Sequence, residues 1–600
     1  MMNPTIVAVT ERIAKRSHNL RQAYLQRLDA AAQEGPKRGQ ISCGNLAHTV
    51  AACSHSQKNQ ILDLTRLNMA IVTAYNDMLS AHQPYQYYPD ELKKVLTDLG
   101  HSAQVAGGVA AMCDGVTQGQ DGMELSLFSR DNIAQSTAIA LSHQTFDGTL
   151  LLGICDKIAP GQLMGALSFS HLPTMFVPAG PMTTGISNEE KVTVRQRYAA
   201  GQTDKHALQE MECQAYHSPG TCTFYGTANT NQLVFEAMGL MLPGSAFVHP
   251  DSPLRHELTA FSARQMVKIS RSGDYRPIGR VVDEKSLVNG LVALLASGGS
   301  TNHTIHMVAL ARAAGLILTW DDIAELSAAV PLMARIYPNG PADVNQFHAA
   351  GGVPLLLKTL NEQQMLHTDV LTCYGTLADY FKVPTLINDQ LVWQDVPKSS
   401  NPEIIASASE PFSSHGGLAL LAGNLGRGVM KISAVKPIHR KICAPARVFD
   451  SQNAVEAAYK RDEFQQDCVI VVRYNGPSAN GMPELHKLMP ILANLMKQGL
   501  QVALITDGRL SGASGKVPSV LHITPEAKRG GPLSQLKDGD IIAIDAESGS
   551  MMCHSDLTNR PITGPQQWQQ QGCGRELFTA FRHCVTSAEQ GATILFNPEF

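Results

Sequence analysis

The chain has 600 residues, which is too long for one hydrophobic core and therefore predicts at least two domains. Its hydrophobic content of 44% and charged content of 17% are typical of an ordinary folded protein. The net charge of −4 excludes a strongly basic surface for nucleic acid, and no apolar run approaches the ~18 residues that cross a bilayer, so neither nucleic acid nor a membrane is expected as a partner.

The twelve cysteines are scattered along the chain, and none forms a CxxC pair. This pattern excludes zinc-ribbon and thioredoxin-like sites. Because the N-terminal segment lacks the apolar core of a signal peptide, we expect a cytoplasmic location, where a disulfide framework is not expected. Any metal site built from these cysteines must therefore collect them from distant loops.

The first part of the chain predicts helices and one strand before a long glycine-rich loop. Helices are expected over 5–32, 61–67 and 89–99, and a strand over 70–74. Glycines then punctuate the stretch 107–136, which contains Cys113 and Asp114. Glycine lets a backbone approach a ligand closely. The stretch could line a ligand site or be an ordinary surface loop.

A continuous apolar run over 150–154 predicts a strand that is buried on both faces, as in a parallel sheet. Cys155, Asp156 and Lys157 follow it directly. Open α/β sheets bind their ligands at this end of their strands. The alternative is a strand end with a buried thiol and a surface Asp–Lys pair, since free cysteine usually behaves as a small core residue.

Two further loops precede predicted helices. A charged helical segment over 189–215 leads to Cys222, which lies in a Gly- and Thr-rich loop before a helix over 229–238. Helix N-termini of this kind bind anions. A helix over 285–297 then leads to Ser300, Thr301 and Asn302, whose neutral hydrogen-bonding groups suit a hydroxylated substrate.

A polar, loop-rich region over 388–417 predicts the domain boundary, which we place between an N-terminal domain of residues 1–395 and a C-terminal domain of residues 396–600. Strands are expected over 418–421, 429–432, 446–450, 468–472 and 502–506, and a hairpin near 541–545. A helix is expected to begin at Pro483 and Glu484. The fold class is therefore α/β, with a smaller β-rich C-terminal domain.

The segment GASGKVP, residues 512–518, is not a nucleotide phosphate loop. That motif needs Gly, four residues, then Gly-Lys-Ser/Thr. Here Leu510 stands at the first glycine position and Val517 replaces Ser/Thr.

Thiols and carboxylates recur where strands are predicted to end. Soft thiolates select iron–sulfur clusters or zinc, and carboxylates select magnesium or manganese, so the combination suggests two adjacent metal sites. Ser511, in another glycine-rich loop, is structural unless a nearby metal lowers the pKa of its hydroxyl.

Six motifs together resemble the iron–sulfur sugar-acid and dihydroxy-acid dehydratases. They are CDGVTQGQDGMELSLFSR, GICDKIAPG, GTCTFYGTANTNQ, GGSTNH, NGPSANGMPE and TDGRLSGASGKVP, and they span residues 113–518. The resemblance covers nearly the whole chain. It implies a large N-terminal α/β domain that holds the metals, a swivel-type C-terminal domain that supplies Glu484 and Ser511, and a homodimer.

The resemblance implies a residue for each role in the dehydration of a 2,3-dihydroxy acid, in which the C2 proton and the C3 hydroxyl leave as water. Ser511 would be the general base. The ligands of Mg²⁺ would be Asp114, Asp156, Glu484 and Lys157, the last as a carbamate that offers the oxygen a hard cation prefers. The cluster ligands would be Cys155 and Cys222.

The chain departs from many relatives at Ala81, where those with a two-iron cluster carry a further cysteine. A 4Fe-4S cluster is therefore expected. Cys113 is the candidate third ligand, because it adjoins Asp114. Cys213, in a charged helical segment, is less favoured.

Within the family, the segments TAYNDMLSAHQP, PGTCTFYGTANTNQ and VHPDSPLR most resemble members that act on a phosphorylated sugar acid. A phosphate needs cations or a helix N-terminus, and Arg255, Arg509 and Lys516 are candidates. Arg255 follows a His-Pro-Asp-Ser-Pro turn and could equally be structural.

Three alternatives remain at this stage. The substrate could be a branched-chain dihydroxy acid or an unphosphorylated sugar acid. The chain could be a cluster-bearing sensor, although this would leave the carboxylates and Ser511 without a role. It could also be a structural α/β protein with buried cysteines.

Overall fold

A computed structural model of the protein describes residues 2–271, 273–512, 515–565 and 570–596. The N-terminal domain contains a four-stranded sheet in which the strands run in the order β2-β1-β3-β4, and all pairs are parallel. The strands are β1 (Asn68–Thr73), β2 (Ser102–Gly108), β3 (Gly148–Leu152) and β4 (Thr174–Phe176). Every residue of β3 is buried, as the apolar run predicts.

Helices surround this sheet and make up most of the N-terminal domain. They are α1 (Pro4–Gln33), α2 (Cys43–Ala51), α3 (His55–Leu62), α4 (Tyr88–Asp98), α5 (Asp114–Thr117), α6 (Ser126–Leu141), α7 (Ile158–Leu167), α8 (Asn188–Ala199), α9 (Lys205–Ala215), α10 (Thr227–Ala237), α11 (Pro253–Ile269), α12 (Ile278–Val281), α13 (Glu284–Ala296), α14 (His303–Ala313), α15 (Trp320–Ala329), α16 (Val344–Ala349) and α17 (Gly352–Glu362). Helix α6 packs against α7 and touches β1 and β2, so it lies beside the strands whose ends carry the predicted site.

A two-stranded antiparallel hairpin follows, formed by β5 (Lys382–Ile387) and β6 (Gln390–Asp395). Its turn residues, Asn388 and Asp389, have φ angles of 50° and 60°. Asn and Asp tolerate this left-handed region, which two-residue hairpin turns require. The indole of Trp393 donates to the carbonyl of Pro243 at 3.0 Å, and this bond fixes the hairpin to the N-terminal domain.

The C-terminal domain is built on a closed eight-stranded barrel with the order β10-β11-β12-β8-β7-β14-β13-β9. Its strands are β7 (Leu418–Gly423), β8 (Gly426–Lys431), β9 (Lys441–Phe449), β10 (Cys468–Val472), β11 (Val502–Thr506), β12 (Ser519–Thr524), β13 (Ile541–Asp545) and β14 (Ser550–Cys553). Its helices are α18 (Gln452–Lys460), α19 (Pro477–Asn480), α20 (Leu488–Lys497) and α21 (Thr579–Cys584).

Strands β10, β11 and β12 of this barrel bury both faces, which explains their apolar runs, whereas β9 and β13 alternate between buried and more exposed residues. In β10, Val469 and Val471 join the core inside the barrel. Ile470 and Val472 point the other way, into the large core that continues through the N-terminal domain. This alternation has the period of two expected of a strand.

The last described stretch of the chain returns to the N-terminal domain and binds helix α6. Arg130, which is fully buried, donates to the carbonyls of Gly591 at 3.0 Å and Ala592 at 2.7 Å. Asp131 accepts from the hydroxyl of Thr593 at 2.8 Å. These bonds hold the two domains together at helix α6, whose first residue, Ser126, bonds Asp114.

The predicted fold class, a large α/β domain and a smaller β-rich one, is confirmed. Three local predictions are wrong. Residues 189–215 are not helical throughout, since α8 ends at Ala199 and α9 begins only at Lys205. Residues 63–67 are not helical, since α3 ends at Leu62. No helix begins at Glu484, because its backbone pairs with that of Arg509 in a β-bridge, and α20 begins only at Leu488. The predicted boundary at residue 395 stays a prediction. In the described part of the chain, no helix has the length and apolar character needed to cross a membrane.

Candidate metal centre

Three buried carboxylates, from Asp114, Asp156 and Glu484, converge between the two domains. Each offers an oxygen that lies within 4.8 Å of the others. Asp114 begins α5 after strand β2, and Asp156 follows strand β3. Because the carboxyl ends of parallel strands share one edge of the sheet, these two side chains meet there. Glu484 reaches them from the C-terminal domain, where the β-bridge to Arg509 holds its backbone.

Two buried cations, Lys157 and Arg509, balance these carboxylates. The ammonium of Lys157 pairs with Asp114 and, at 2.5 Å, with Asp156. Arg509 donates to Glu484 at 2.8 Å and to Asp114 at 3.0 Å. Burial opposes the charge of Lys157, but Asp114 and Asp156 outweigh it and raise its pKa. Burial, together with the charge of Asp114, raises the pKa of Glu484 to about 8.

The donor set of this acidic triad fits a hard divalent cation. Carboxylate oxygens are the ligands that Mg²⁺ prefers. Within the described chain, the buried Oδ1 of Asp156 has no hydrogen-bond partner, so one oxygen of the triad remains available to an ion. The triad could therefore bind a metal ion. Lys157 touches two of its members, in the position from which a carbamate could add a further oxygen.

Two thiols adjoin the carboxylates, and a third lies near them. Cys113 and Cys155 are each adjacent in sequence to a carboxylate of the triad, and each thiol shifts the pKa of the other. Cys222 is near enough for its charge to act on Cys155. Its loop is anchored by Gly220, whose N–H donates to the carbonyl of Ser80 at 2.7 Å. Cysteine thiolates are the usual protein ligands of iron–sulfur clusters, so this trio fits such a group.

The pKa values of the three thiols differ because their burial and their neighbours differ. The hydrogen bond from Cys155 lowers the pKa of Cys113 to about 7, and the same bond and burial raise the pKa of Cys155 well above its usual value. Burial raises the pKa of Cys222 to about 12. Cys155 also has a φ of 77°, in the left-handed region that non-glycine residues rarely adopt and that recurs at functional sites.

Further residues, which the sequence did not single out, hold the site in place. Ser126, at the start of α6, donates to Asp114 and accepts from Arg509 at 3.2 Å. The amide of Asn231 donates to the carbonyls of Cys155 at 3.0 Å and Asp156 at 3.1 Å. The spacing of Thr227 and Asn231, one turn apart in a helix after a Gly-rich loop, is the signal that could have identified Asn231.

The predicted substrate loop is buried against the loop that carries Ser511. A Cβ added to Gly512 would lie 2.5 Å from the hydroxyl oxygen of Ser300, so only glycine permits this approach. Ser300 shares a hydrogen bond of 2.8 Å with Thr227, which also accepts from Asn302 at 3.0 Å. Among the described residues, the buried Oδ1 of Asn302 has no partner.

Thr301 is buried beside Ser300 and Asn302, so the whole predicted trio lies together. Ser511 is two residues from Arg509, which binds the carboxylates, and next to Gly512, which packs on Ser300. The structure therefore brings the proposed base, the acidic triad and the hydroxyl-rich loop into one region.

The three predicted phosphate-binding cations do not form a common group. Arg255 is fully buried and donates to the carbonyls of Ser245 and, at 2.9 Å, Val248, in the turn before its own helix. Arg509 is engaged by the carboxylates. Lys516 is exposed and lies 5.2 Å from the ring of Tyr337. Arg255 thus bonds backbone carbonyls and no carboxylate of the described residues, and its Nε has no hydrogen-bond partner among them.

An acidic triad supplied by both domains, with a thiol trio beside it, defines a metal-dependent enzyme of the α/β class. Residues 66–380 match the N-terminal model of the dihydroxy-acid/6-phosphogluconate dehydratases, and residues 403–592 match the C-terminal model. The chain belongs to this family of dehydratases, and it is therefore a hydro-lyase.

The chain is also similar to individual members of this family over most of its length. The chain is 55% identical to the phosphogluconate dehydratase of Escherichia coli (strain K12), over 99% of this chain and 100% of that protein. It is 54% identical to the phosphogluconate dehydratase of Pseudomonas aeruginosa, over 98% of each. It is 33% identical to the dihydroxy-acid dehydratase of Ignicoccus hospitalis, over 81% of this chain and 86% of that protein.

We expect Ser126→Ala to weaken Mg²⁺ binding about 10- to 100-fold, the usual effect of removing a hydrogen bond that orients a ligand. Ser129→Ala is the matched control, because Ser129 lies one turn later on the same helix and bonds only the carbonyl of Ser126, at 2.7 Å. Titration with Mn²⁺, followed by electron paramagnetic resonance, measures the affinity without turnover. Equal affinity in both variants would show that Ser126 does not orient Asp114.

Proposed function

We propose that the chain dehydrates 6-phospho-D-gluconate to 2-dehydro-3-deoxy-6-phospho-D-gluconate, a step of the Entner–Doudoroff pathway. The observation that carries this is similarity over the full length: relatives named phosphogluconate dehydratase are 50 to 55% identical over 98 to 99% of this chain. The dihydroxy-acid dehydratase is much less similar, at 33%. A branched-chain dihydroxy acid or an unphosphorylated sugar acid is the alternative substrate.

The site would hold two metal groups. Asp114, Asp156, Glu484 and a carbamylated Lys157 would hold Mg²⁺. Cys113, Cys155 and Cys222 would hold a 4Fe-4S cluster. The interaction of the Cys113 thiol with that of Cys155, each of which shifts the pKa of the other, supports Cys113 as the third ligand, since the family resemblance assigns Cys155 to the cluster.

When bound, these groups would supply Lewis-acid stabilisation of negative charge on the substrate and on the departing hydroxide. The residues of the chain would position the substrate next to these metal groups. Ser511 would accept the proton from C2, the C3–O bond would break, and the hydroxide would leave with a proton as water. The resulting enol would tautomerise to the 2-keto-3-deoxy acid. No net oxidation or reduction takes place.

The surrounding residues would orient the sugar acid and keep water out. Ser300, Thr301 and Asn302 are buried and offer neutral hydrogen bonds to hydroxyl groups. The free Oδ1 of Asn302, in the described chain, is an acceptor available to one of them. A site buried between two domains also strengthens every electrostatic contact inside it.

The test is an anaerobic assay of 2-keto acid formation from 6-phosphogluconate, D-gluconate and 2,3-dihydroxyisovalerate, with and without Mg²⁺. We expect about four irons per chain, in line with the proposed cluster, and turnover of the phosphorylated acid well above that of the other two. Turnover of another acid would keep the mechanism and replace the substrate. Absence of iron and of turnover after cluster reconstitution would refute the proposed reaction and favour a structural protein.

The assembly would be a homodimer, and the enzyme would act in the cytoplasm. Light scattering of the purified protein tests the first of these. A monomer under all conditions would contradict it.

A further inference from the structure

Lys431 is a buried cation that the site described above does not use. It ends strand β8, and its side chain is 4% exposed. The ammonium has three donors, yet its one hydrogen bond to the described chain is to the carbonyl of Gly512, at 3.3 Å. No carboxylate of the described residues pairs with it, and burial lowers its pKa to about 7. A buried charge without a counter-charge is costly, so an anion beside it would be strongly favoured.

The contact to Gly512 places Lys431 at the reaction site. Gly512 follows Ser511 directly and packs on Ser300. Three residue steps separate Gly512 from Arg509, which binds the acidic triad, and they span at most about 10 Å. Lys431 therefore contacts the same short segment that carries Arg509 and Ser511.

The strand end that carries Lys431 borders a cleft of about 540 Å³ between the two domains. This volume is in the range of small-molecule sites. Its described lining includes Arg335, Lys436 and His415 and contains no carboxylate; Arg440 also lines it but pairs with Glu547 at 3.1 Å. A cleft lined by one sign of charge attracts ligands of the opposite sign. It therefore favours the entry of an anion.

The cleft and Lys431 meet at the loop that follows Ser511. A Cβ added to Gly515 would lie 3.2 Å from Ala434, which lines the cleft, and 3.3 Å from the side chain of Lys431. Helix α10 adds to the positive potential here, because its N-terminus has no side-chain cap and the backbone nitrogen of Thr227 lies 2.8 Å from a Cβ added to Gly512.

We propose that Lys431 binds the phosphate group of the substrate, which reaches it through the basic cleft lined by Arg335, Lys436 and Arg440. This assignment rests on the proposed function, and it makes Lys431 the residue that separates phosphorylated from unphosphorylated sugar acids. Arg509 and Lys516 do not take this role, since the first is held by carboxylates and the second is exposed. Arg255 donates to the carbonyls of Ser245 and Val248, in the turn before its own helix, and does not line the cleft.

The test compares Lys431→Met and Lys431→Arg with wild-type enzyme on 6-phosphogluconate and D-gluconate. Methionine keeps the apolar length of the side chain and removes the charge. We expect Lys431→Met to raise KM for 6-phosphogluconate about 10- to 100-fold, the usual effect of losing a charge-assisted hydrogen bond, and to leave kcat/KM for D-gluconate within about two-fold. Lys431→Arg should recover part of the loss.

Lys441→Met is the matched control, since Lys441 lies on β9, the next strand along the chain, is mostly exposed and pairs with Asp545 at 3.0 Å. Calorimetry with inorganic phosphate decides the question even where D-gluconate reacts too slowly: wild type should bind phosphate, and Lys431→Met should bind it at least 10-fold more weakly. An equal loss on both substrates would make Lys431 a positioning residue for the Gly512 loop. That outcome, or unchanged kinetics and phosphate binding, would overturn the assignment.

Failure of the proposed function gives a different result. Wild-type enzyme would then not turn over 6-phosphogluconate at all, whereas failure of the Lys431 assignment leaves wild-type turnover intact and changes only the comparison with the variants.

Discussion

Ser511→Ala is expected to lower kcat for 6-phosphogluconate by about 10²- to 10⁴-fold, the usual contribution of a positioned general base. The iron and Mg²⁺ content should not change, because Ser511 is a ligand of neither group in our assignment. KM should change little, since the hydroxyl is needed for proton transfer and not for binding. Steady-state kinetics on metal-replete enzyme measure both parameters.

The structure supports this expectation through the neighbours of Ser511. Arg509, two residues earlier, binds Glu484 and Asp114, and Gly512, one residue later, packs on Ser300. The segment that carries Ser511 thus contacts both the acidic triad and the hydroxyl-rich loop.

Ser519→Ala is the matched control for this prediction. Ser519 begins the strand after the same loop, and its hydroxyl bonds the carbonyl of Val517 at 3.1 Å. We expect wild-type kinetics from it. A second readout is exchange of the C2 proton with solvent, which Ser511→Ala should abolish. If Ser511→Ala kept near-full activity with both metal groups in place, another residue would be the base.

The strands around the site could be predicted from sequence because their apolar runs are continuous. The predicted strands 468–472 and 502–506 coincide with β10 and β11. Because the carboxyl ends of parallel strands share one edge of a sheet, Asp114 and Asp156 could be predicted to lie close together, and they do. Glu484 comes from the other domain, and only the family resemblance linked it to them.

Contacts between distant segments could not be predicted in the same way. The helix expected at Glu484 rested on the preference of proline for the first helical turn, but backbone pairing with Arg509 takes precedence there. Ser126 looked like any serine near a helix start. Lys431 is a single lysine in a short strand, and nothing local shows that it is buried without a carboxylate in the described chain.

Arg255 is the opposite case, because its place in the sequence suggests a phosphate ligand whereas its bonds in the structure are to the protein backbone. A cation after a turn is a reasonable phosphate ligand in sequence, yet its burial and its bonds to Ser245 and Val248 give it a structural role. The sequence identifies which residues carry charge. The structure shows which of those charged groups already bond other parts of the protein.

Replacing any one of Cys113, Cys155 and Cys222 by serine is expected to cost the cluster and with it about 10³-fold or more in turnover. A Lewis acid contributes several kcal/mol to a barrier, and each 1.36 kcal/mol is tenfold in rate. Serine keeps the size of the side chain but binds iron poorly, because iron–sulfur clusters are held by thiolates. Anaerobic iron analysis and the visible spectrum measure the loss directly.

Cys213→Ser is the matched control, because Cys213 is exposed on helix α9. It should keep iron and activity. Cys113 is the decisive position. Retention of iron and turnover by Cys113→Ser, with loss in the other two variants, would make Cys113 a bystander whose hydrogen bond to Cys155 is structural. Loss of iron in all three variants requires a cluster held by the whole trio, one thiol from each of three loops. With Ala81 in place of a further cysteine, the three thiols would be the protein ligands of such a cluster, which would supply Lewis-acid chemistry to the substrate.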